Sequence, residues 1–337
     1  MSKRSIAIAG AGIVGVWQAY AFARAGFRVR LWERSAVPFV ASASRMAAAM
    51  IAPECEAEGA PSIIRDLGRR SVELWRAYPG TIVNGTLVVA PARDAADLSR
   101  FERMTERHDV VEARGIAELE PALAGRFARA LLFPGEAHVG AMDALTWLLS
   151  EIRALGVETS FGQPFVTDDL ATDIVIDCRG IGAQGDVPKL RGVRGERLII
   201  QSHDVTLSRP VRLLHPRQPL YVVPQGEGRF VVGASVIERE DDGPMTVKSA
   251  LELLGSAYAL HPAFAEAAIL DMGAGVRPAF PDNVPRIVVE DGARTIRVNG
   301  VYRHGFLLAP VLAQAVVQFV LDGRSDGPLF GAVGRRS

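Results

Sequence analysis

This 337-residue chain has little that would bind metal, form disulfides or attract polyanions. Its two cysteines, Cys55 and Cys178, lie far apart with no CxxC pair or histidine cluster nearby, which excludes a disulfide framework and a structural zinc site. A reducing cytoplasm is expected. His108, His138, His203, His215 and His261 show no metal-ligand spacing, so no metal is expected. Lys and Arg together number 38, and so do Asp and Glu, leaving no net field to gather nucleic acid or an anionic membrane. Lysine is nearly missing: three of the 38 cations are Lys3, Lys189 and Lys248, and the other 35 are arginines. The longest apolar run near the end, 306–321, is broken by Pro310, Gln314 and Gln318 and falls short of a membrane span. The opening residues look superficially like a signal peptide, but Gly10, Gly12 and Gly15 break the apolar stretch, so it reads as structure.

What remains is ordinary globular material. At 49% hydrophobic and 23% charged, with 33 Gly and 20 Pro spread along the chain, there is enough for one large or two ordinary cores. A strand (Ser5–Ala9), a glycine-rich turn, an apolar-periodic helix (Ile13–Arg24) and a second strand (Arg28–Glu33) predict a βαβ opening. Segments 173–177, 286–289 and 295–298 read as further strands of the same sheet. Alternating strands at 220–223 and 229–233, with helical stretches at 95–107 and 246–260, suit a second domain on an antiparallel sheet. The expected fold is α/β: a discontinuous Rossmann-type domain over 1–79, 134–190 and 272–330, and an α+β domain over 80–133 and 191–271. Residues 331–337 read as a frayed tail.

The turn between the first strand and helix is GAGIVG, residues 10–15, with G-x-G-x-x-G spacing. Its glycines permit a tight turn and close backbone approach, so the helix N-terminus can face a pyrophosphate. Glu33 ends the next strand, where a carboxylate can accept ribose hydroxyls. A second match, GIGAQG at 180–185, is followed by Pro188, Gly192 and Gly195 rather than a helix, and reads as a turn beside the first cofactor. Near the end, NGVYRHGFLLAPVLA (299–313) predicts a turn and then a helix whose N-terminus suits the anionic charge of a reduced flavin. Arg277 precedes Pro278, a pair biased toward extended backbone.

Together GAGIVG with Glu33-Arg34, ASRMAAAMIAP (43–53), PLYVVP (219–224), GVRPAFPDNVP (275–285) and YRHGFLLAP (302–310) resemble the D-amino-acid oxidase superfamily, and within it the glycine oxidases that serve thiamine synthesis. The resemblance implies noncovalent FAD, and hydride transfer from the amine-bearing carbon of glycine or another small amino acid. Oxygen then reoxidises the flavin and gives hydrogen peroxide. Carried over by matching position, FAD would be contacted by Gly10, Gly12, Ile13, Val14, Gly15, Glu33, Arg34, Ala43, Ser44, Ala48, Ala49, Met50 and Phe165. The closing segment would add Val301, Tyr302, Arg303, His304, Gly305, Phe306 and Leu307. Arg277 matches the arginine that grips the substrate carboxylate, Arg303 a second active-site arginine, and Tyr221 the tyrosine lining the substrate cavity.

Two departures stand out. Ala49 occupies a position where the family usually has glycine, and GASVIERE (233–240) replaces its active-site loop. No cysteine follows Cys178, which excludes flavin attachment through a cysteine in the way some relatives use. Glu54, Glu56, Glu58 and Asp241-Asp242 read as solvated loops. Three alternatives stay open: a D-amino-acid, sarcosine or proline-type dehydrogenase passing electrons to a quinone or partner subunit, a noncatalytic FAD-binding subunit, and a nicotinamide-dependent dehydrogenase. A homo-oligomer also stays open.

Overall fold

The computed structural model describes residues 4–166, 172–215, 219–325 and 327–330; the predicted tail, 331–337, lies outside the described residues. The opening forms as its pattern predicts. Ser5–Ala9 pairs in parallel with Arg28–Glu33, and the helix Ile13–Arg24 crosses between them. This helix is apolar nearly all round because it is covered on several sides, by the sheet, the last helix Gly305–Asp322 and the helix Ala141–Ala154. Trp17 stands edge-on to Tyr20 and Trp75, at 5.5 and 5.1 Å between ring centroids. Such buried aromatic pairs add about 0.5–1.5 kcal/mol each beyond area burial.

Among the described residues six strands form the first sheet, in the order Arg286–Glu290, Thr295–Asn299, Ile174–Asp177, Ser5–Ala9, Arg28–Glu33, Glu158–Phe161. All neighbours are parallel except the first pair, which is a hairpin. An eight-stranded sheet carries Arg191–Gln201, Leu220–Pro224, Arg229–Gly233 and Ala268–Ala279, with one parallel pair in an otherwise antiparallel set. Ala268–Ala279 runs across position 272 without leaving that sheet. Its second core gathers Leu198, Val222, Phe230 and Val232 from the strands with Leu253 from the helix Val247–Leu260 and Phe264 from the turn after it.

The last helix, Gly305–Asp322, extends one residue beyond each end of the apolar run 306–321. It spans 18 residues with a mean hydropathy of 1.7, long and apolar enough to cross a membrane by length and composition. Within the fold 56% of it is buried, against Ile13–Arg24 and Ser62–Trp75.

Candidate active site

A cavity of about 700 Å³ is lined from both sheets, a volume in the range of small-molecule and cofactor sites. One end is built from backbone. Gly10 leaves the first strand with φ +94°, and a Cβ there would stand 2.6 Å from the Cys178 carbonyl oxygen. A Cβ on Gly15 would stand 1.8 Å from the Gly10 oxygen, so only glycine lets the helix close onto the turn. Gly12 caps the helix with no side-chain bond, and no acid occupies the first turn. The Ile13 amide donates to Ser44 Oγ at 3.0 Å, and Gly12, Ile13 and Val14 present this positive helix end to the cavity. Glu33 accepts the Ala11 and Ser35 amides at 2.9 and 3.0 Å, which fixes its carboxylate on the wall beside Arg34.

Ala43, Ser44, Ala48, Ala49 and Met50 continue the wall, as do Val301, Tyr302, Arg303, Gly305 and Phe306 at the entry to the last helix. The second glycine motif is a short turn from Gly180 to Ala183 on the same wall. Four predicted contacts are not on it. Gly15 packs against Gly10, Phe165 stands edge-on to Trp32 at 5.7 Å, and His304 and Leu307 are buried without lining the cavity.

The other end is built from side-chain charge. Arg277 extends from Ala268–Ala279 over Gly195 of the paired strand, where a Cβ would come within 2.1 Å of its guanidinium carbon. Its Nη1 donates to the Ser235 carbonyl at 3.1 Å, and among the described residues no carboxylate lies within 4.0 Å of it. Tyr221 sits opposite Gly233, whose Cβ would be 3.0 Å from the tyrosine ring. Burial pushes the Tyr221 phenol up, against the pull of the Arg277 charge. Arg303 Nη2 lies 2.7 Å from Glu56 Oε2.

Burial alone would raise the Glu56 carboxyl, but the positive charges around it, Arg303 foremost, hold it below the usual range. Glu56 in turn pushes the Arg303 guanidinium up. His304 Nδ1 is 3.4 Å from the same carboxylate, yet burial takes the imidazole down to about 4 and leaves it neutral near pH 7.

The three glutamates read as solvated are engaged. Glu54 is buried and forms a two-point pair with Arg69 at 2.6 and 2.7 Å, while Glu58 meets Arg100 and Arg212 at 2.6 Å each. Their partners lie elsewhere in the sequence, so no local pattern marks them. A second pair also escaped the sequence reading. Arg194 and Glu196, both buried, meet at 2.7 Å, and Arg194 also donates to the carbonyls of Asp241, Gly243 and Pro244. Ser235 Oγ donates to Glu196 at 3.1 Å, so the same cluster that holds the 241–244 turn holds the residue that orients Arg277. The available signal was Arg and Glu two apart in a strand, which places both on one face. Beside this end, Glu136 accepts the Cys55 amide at 2.8 Å, and burial pushes its carboxyl up to about 7.

A dinucleotide fits the backbone-built end: glycine positions that side chains would fill, a helix N-terminus with no acid in its first turn and an anchored carboxylate on the next strand. The N-terminus of the last helix, at Gly305 and Phe306, also lines the cavity and suits developing negative charge on a flavin.

Residues 5–319 match the family model described as FAD dependent oxidoreductase. A Rhizobium etli protein with the provisional name thiamine biosynthesis oxidoreductase ThiO is 48% identical over 318 residues, covering 94% of this chain and 96% of that protein. The glycine oxidase of Bacillus licheniformis is 23% identical over 347 residues, 93% of this chain and 92% of its own. The crystal structure of glycine oxidase from Geobacillus kaustophilus superposes with a TM-score of 0.80 at 23% identity, covering 94% of this chain and 95% of that one.

Proposed function

Because the chain belongs to the FAD-dependent oxidoreductase family, an enzyme family that uses FAD, we propose that it oxidises the amine of glycine or another small amino acid to the imine. When bound, the flavin supplies the two-electron acceptor for hydride from the α-carbon, and dioxygen restores it with release of hydrogen peroxide. In this reading the imine feeds thiazole synthesis for thiamine, in line with the name of the Rhizobium etli relative. The observation that carries it is Arg277: a guanidinium on the wall of the cavity that, among the described residues, has no carboxylate within 4.0 Å.

Arg277 binds the substrate carboxylate by two parallel N–H···O bonds, which set the angle of the molecule as well as its position. Ser235 and the gap above Gly195 hold the guanidinium in that pose. The Tyr221 hydroxyl, kept protonated by burial, donates to the same carboxylate. An amine that arrives unprotonated and is held in this way needs no further base, since positioning alone supplies much of the acceleration. FAD is bound noncovalently by the residues named above as lining the cavity, except the Arg303 side chain, which is turned to Glu56, with Gly15 supporting the turn.

Because Ala268–Ala279 stays in the eight-stranded sheet, the expected boundary at 272 moves to the end of that strand, and the division of the chain is 1–79, 134–190 and 280–330 for cofactor and 80–133 with 191–279 for substrate, in a cytoplasmic protein. Visible absorbance under argon tests the reading. Glycine should bleach the flavin bands and air should restore them. A yellow protein that glycine and other small amino acids leave unbleached overturns the substrate assignment, and bleaching that air fails to reverse points to a dehydrogenase.

A further inference from the structure

Several arginines reach the charged end of the cavity, and they are not equivalent. Arg212 is spent on Glu58 at 2.6 Å and the Cys55 carbonyl at 3.1 Å. Arg197 is spent on Asp271 at 2.8 Å. Arg303 is spent on Glu56 at 2.7 Å, and Arg277 alone of these four has no carboxylate partner among the described residues. The charges of Glu56, Arg303 and Arg277 all act on the Tyr221 hydroxyl and the His304 ring, which places the three ions in one neighbourhood.

Glu56 is held there by the fold. The short helix Pro53–Glu56 starts on proline, Glu54 is turned to Arg69, and a Cβ on Gly59 would sit 3.5 Å from Arg303 Nη2. A guanidinium already paired with a resident carboxylate has little left for an arriving one: one of its nitrogens faces that carboxylate, its charge is cancelled, and the newcomer stands against a like charge.

We propose that Glu56 is a specificity-determining residue: by occupying Arg303 it leaves one anion site, at Arg277, so the enzyme accepts amino acids with a single carboxylate and rejects dicarboxylic ones. The inference rests on the amino-acid reading above. It predicts that iminodiacetate is a far poorer substrate than N-ethylglycine, which has a methyl in place of the second carboxylate, and that Glu56→Gln narrows the gap by freeing Arg303.

The test uses the holoenzyme and two unreactive acids, propionate and succinate, with affinities from calorimetry. The wild type should prefer propionate, and Glu56→Gln should shift the ratio toward succinate by at least about tenfold. Glu56→Gln combined with Arg303→Met removes the pair with no change in net charge and should keep the wild-type preference. An unchanged ratio in Glu56→Gln overturns the proposal. So does a succinate gain that persists in the double variant, or a tenfold loss of propionate affinity there, which would make Arg303 an anion site in its own right. Should Glu56→Gln fail to fold, Glu56→Ser takes its place with the same two outcomes. The calorimetric ratios stand whether or not glycine reduces the flavin, so failure of the charge filter and failure of the proposed reaction are separately visible.

Discussion

The two ends of the cavity are made of different things. At the dinucleotide end the working groups are mostly backbone: the turn at Gly10 and the first turn of the helix that follows, with the Glu33 carboxylate pinned by two backbone amides. At the substrate end they are side-chain ions drawn from separate stretches, with Arg277, Arg303 and Glu56 distinguished only by who is paired with whom. A backbone cradle fails when an atom is added, because there is no room. An ionic site fails when a charge is removed, because its partner is left without compensation.

Gly15→Ala should break the first end outright. The added Cβ would stand 1.8 Å from the Gly10 oxygen, a backbone atom that no rotamer change can move. The expected result is protein without FAD, inactive and destabilised by about 3 kcal/mol, the upper range for overpacking. Retained flavin absorbance with a near-normal melting temperature would show that the turn can shift. Arg277→Met should break the second end and leave the first intact: FAD stays, and substrate affinity falls by about 2–5 kcal/mol. Near-normal steady-state kinetics in that variant would remove Arg277 from the site.

The same contrast explains what the sequence made legible. G-x-G-x-x-G between a strand and a helix is local, and both flanking elements announce themselves by period, so the cradle and the parallel sheet around it could be read directly. Glu56 could not. Its neighbours Glu54, Cys55 and Glu58 look like a polar run, and the residue that gives Glu56 meaning, Arg303, comes from the far end of the chain. His304 and Leu307 are buried off the cavity wall, since membership of a matching segment does not say which face of the final turn meets the cavity. Arg277 and Tyr221 came from resemblance; what the fold adds is the space left by Gly195 and Gly233 beside each.

Glu136 sharpens the comparison from below the ionic end. Its carboxyl is pushed from 4.5 up to about 7 by burial, so between those values the folded chain keeps a proton that the unfolded chain has released. Stability therefore falls as pH rises through that window. Glu136→Gln keeps an acceptor for the Cys55 amide and is neutral throughout. Urea melts should lose the slope between pH 5 and 8, with a gain of up to about 3 kcal/mol at the upper end. An unchanged slope would assign the pH dependence to another group.

The smallest effect belongs to the cradle, at the position where the family's usual glycine is alanine. Ala49 is buried and has φ +54°, the left-handed region, where a side chain costs about 1–2 kcal/mol. Ala49→Gly relieves that strain, but glycine loses about 0.5–1 kcal/mol more backbone entropy on folding and gives up a buried methyl group. The terms nearly cancel, leaving a stabilisation of about 0.5 kcal/mol or less, or a rise of about 1–2 °C in Tm. Substrate affinity should not move, because the position lies on the cradle wall and bears no charge. A clear fall in Tm would mean that the methyl packs better than the backbone suffers, and that this chain has adapted its cradle to alanine.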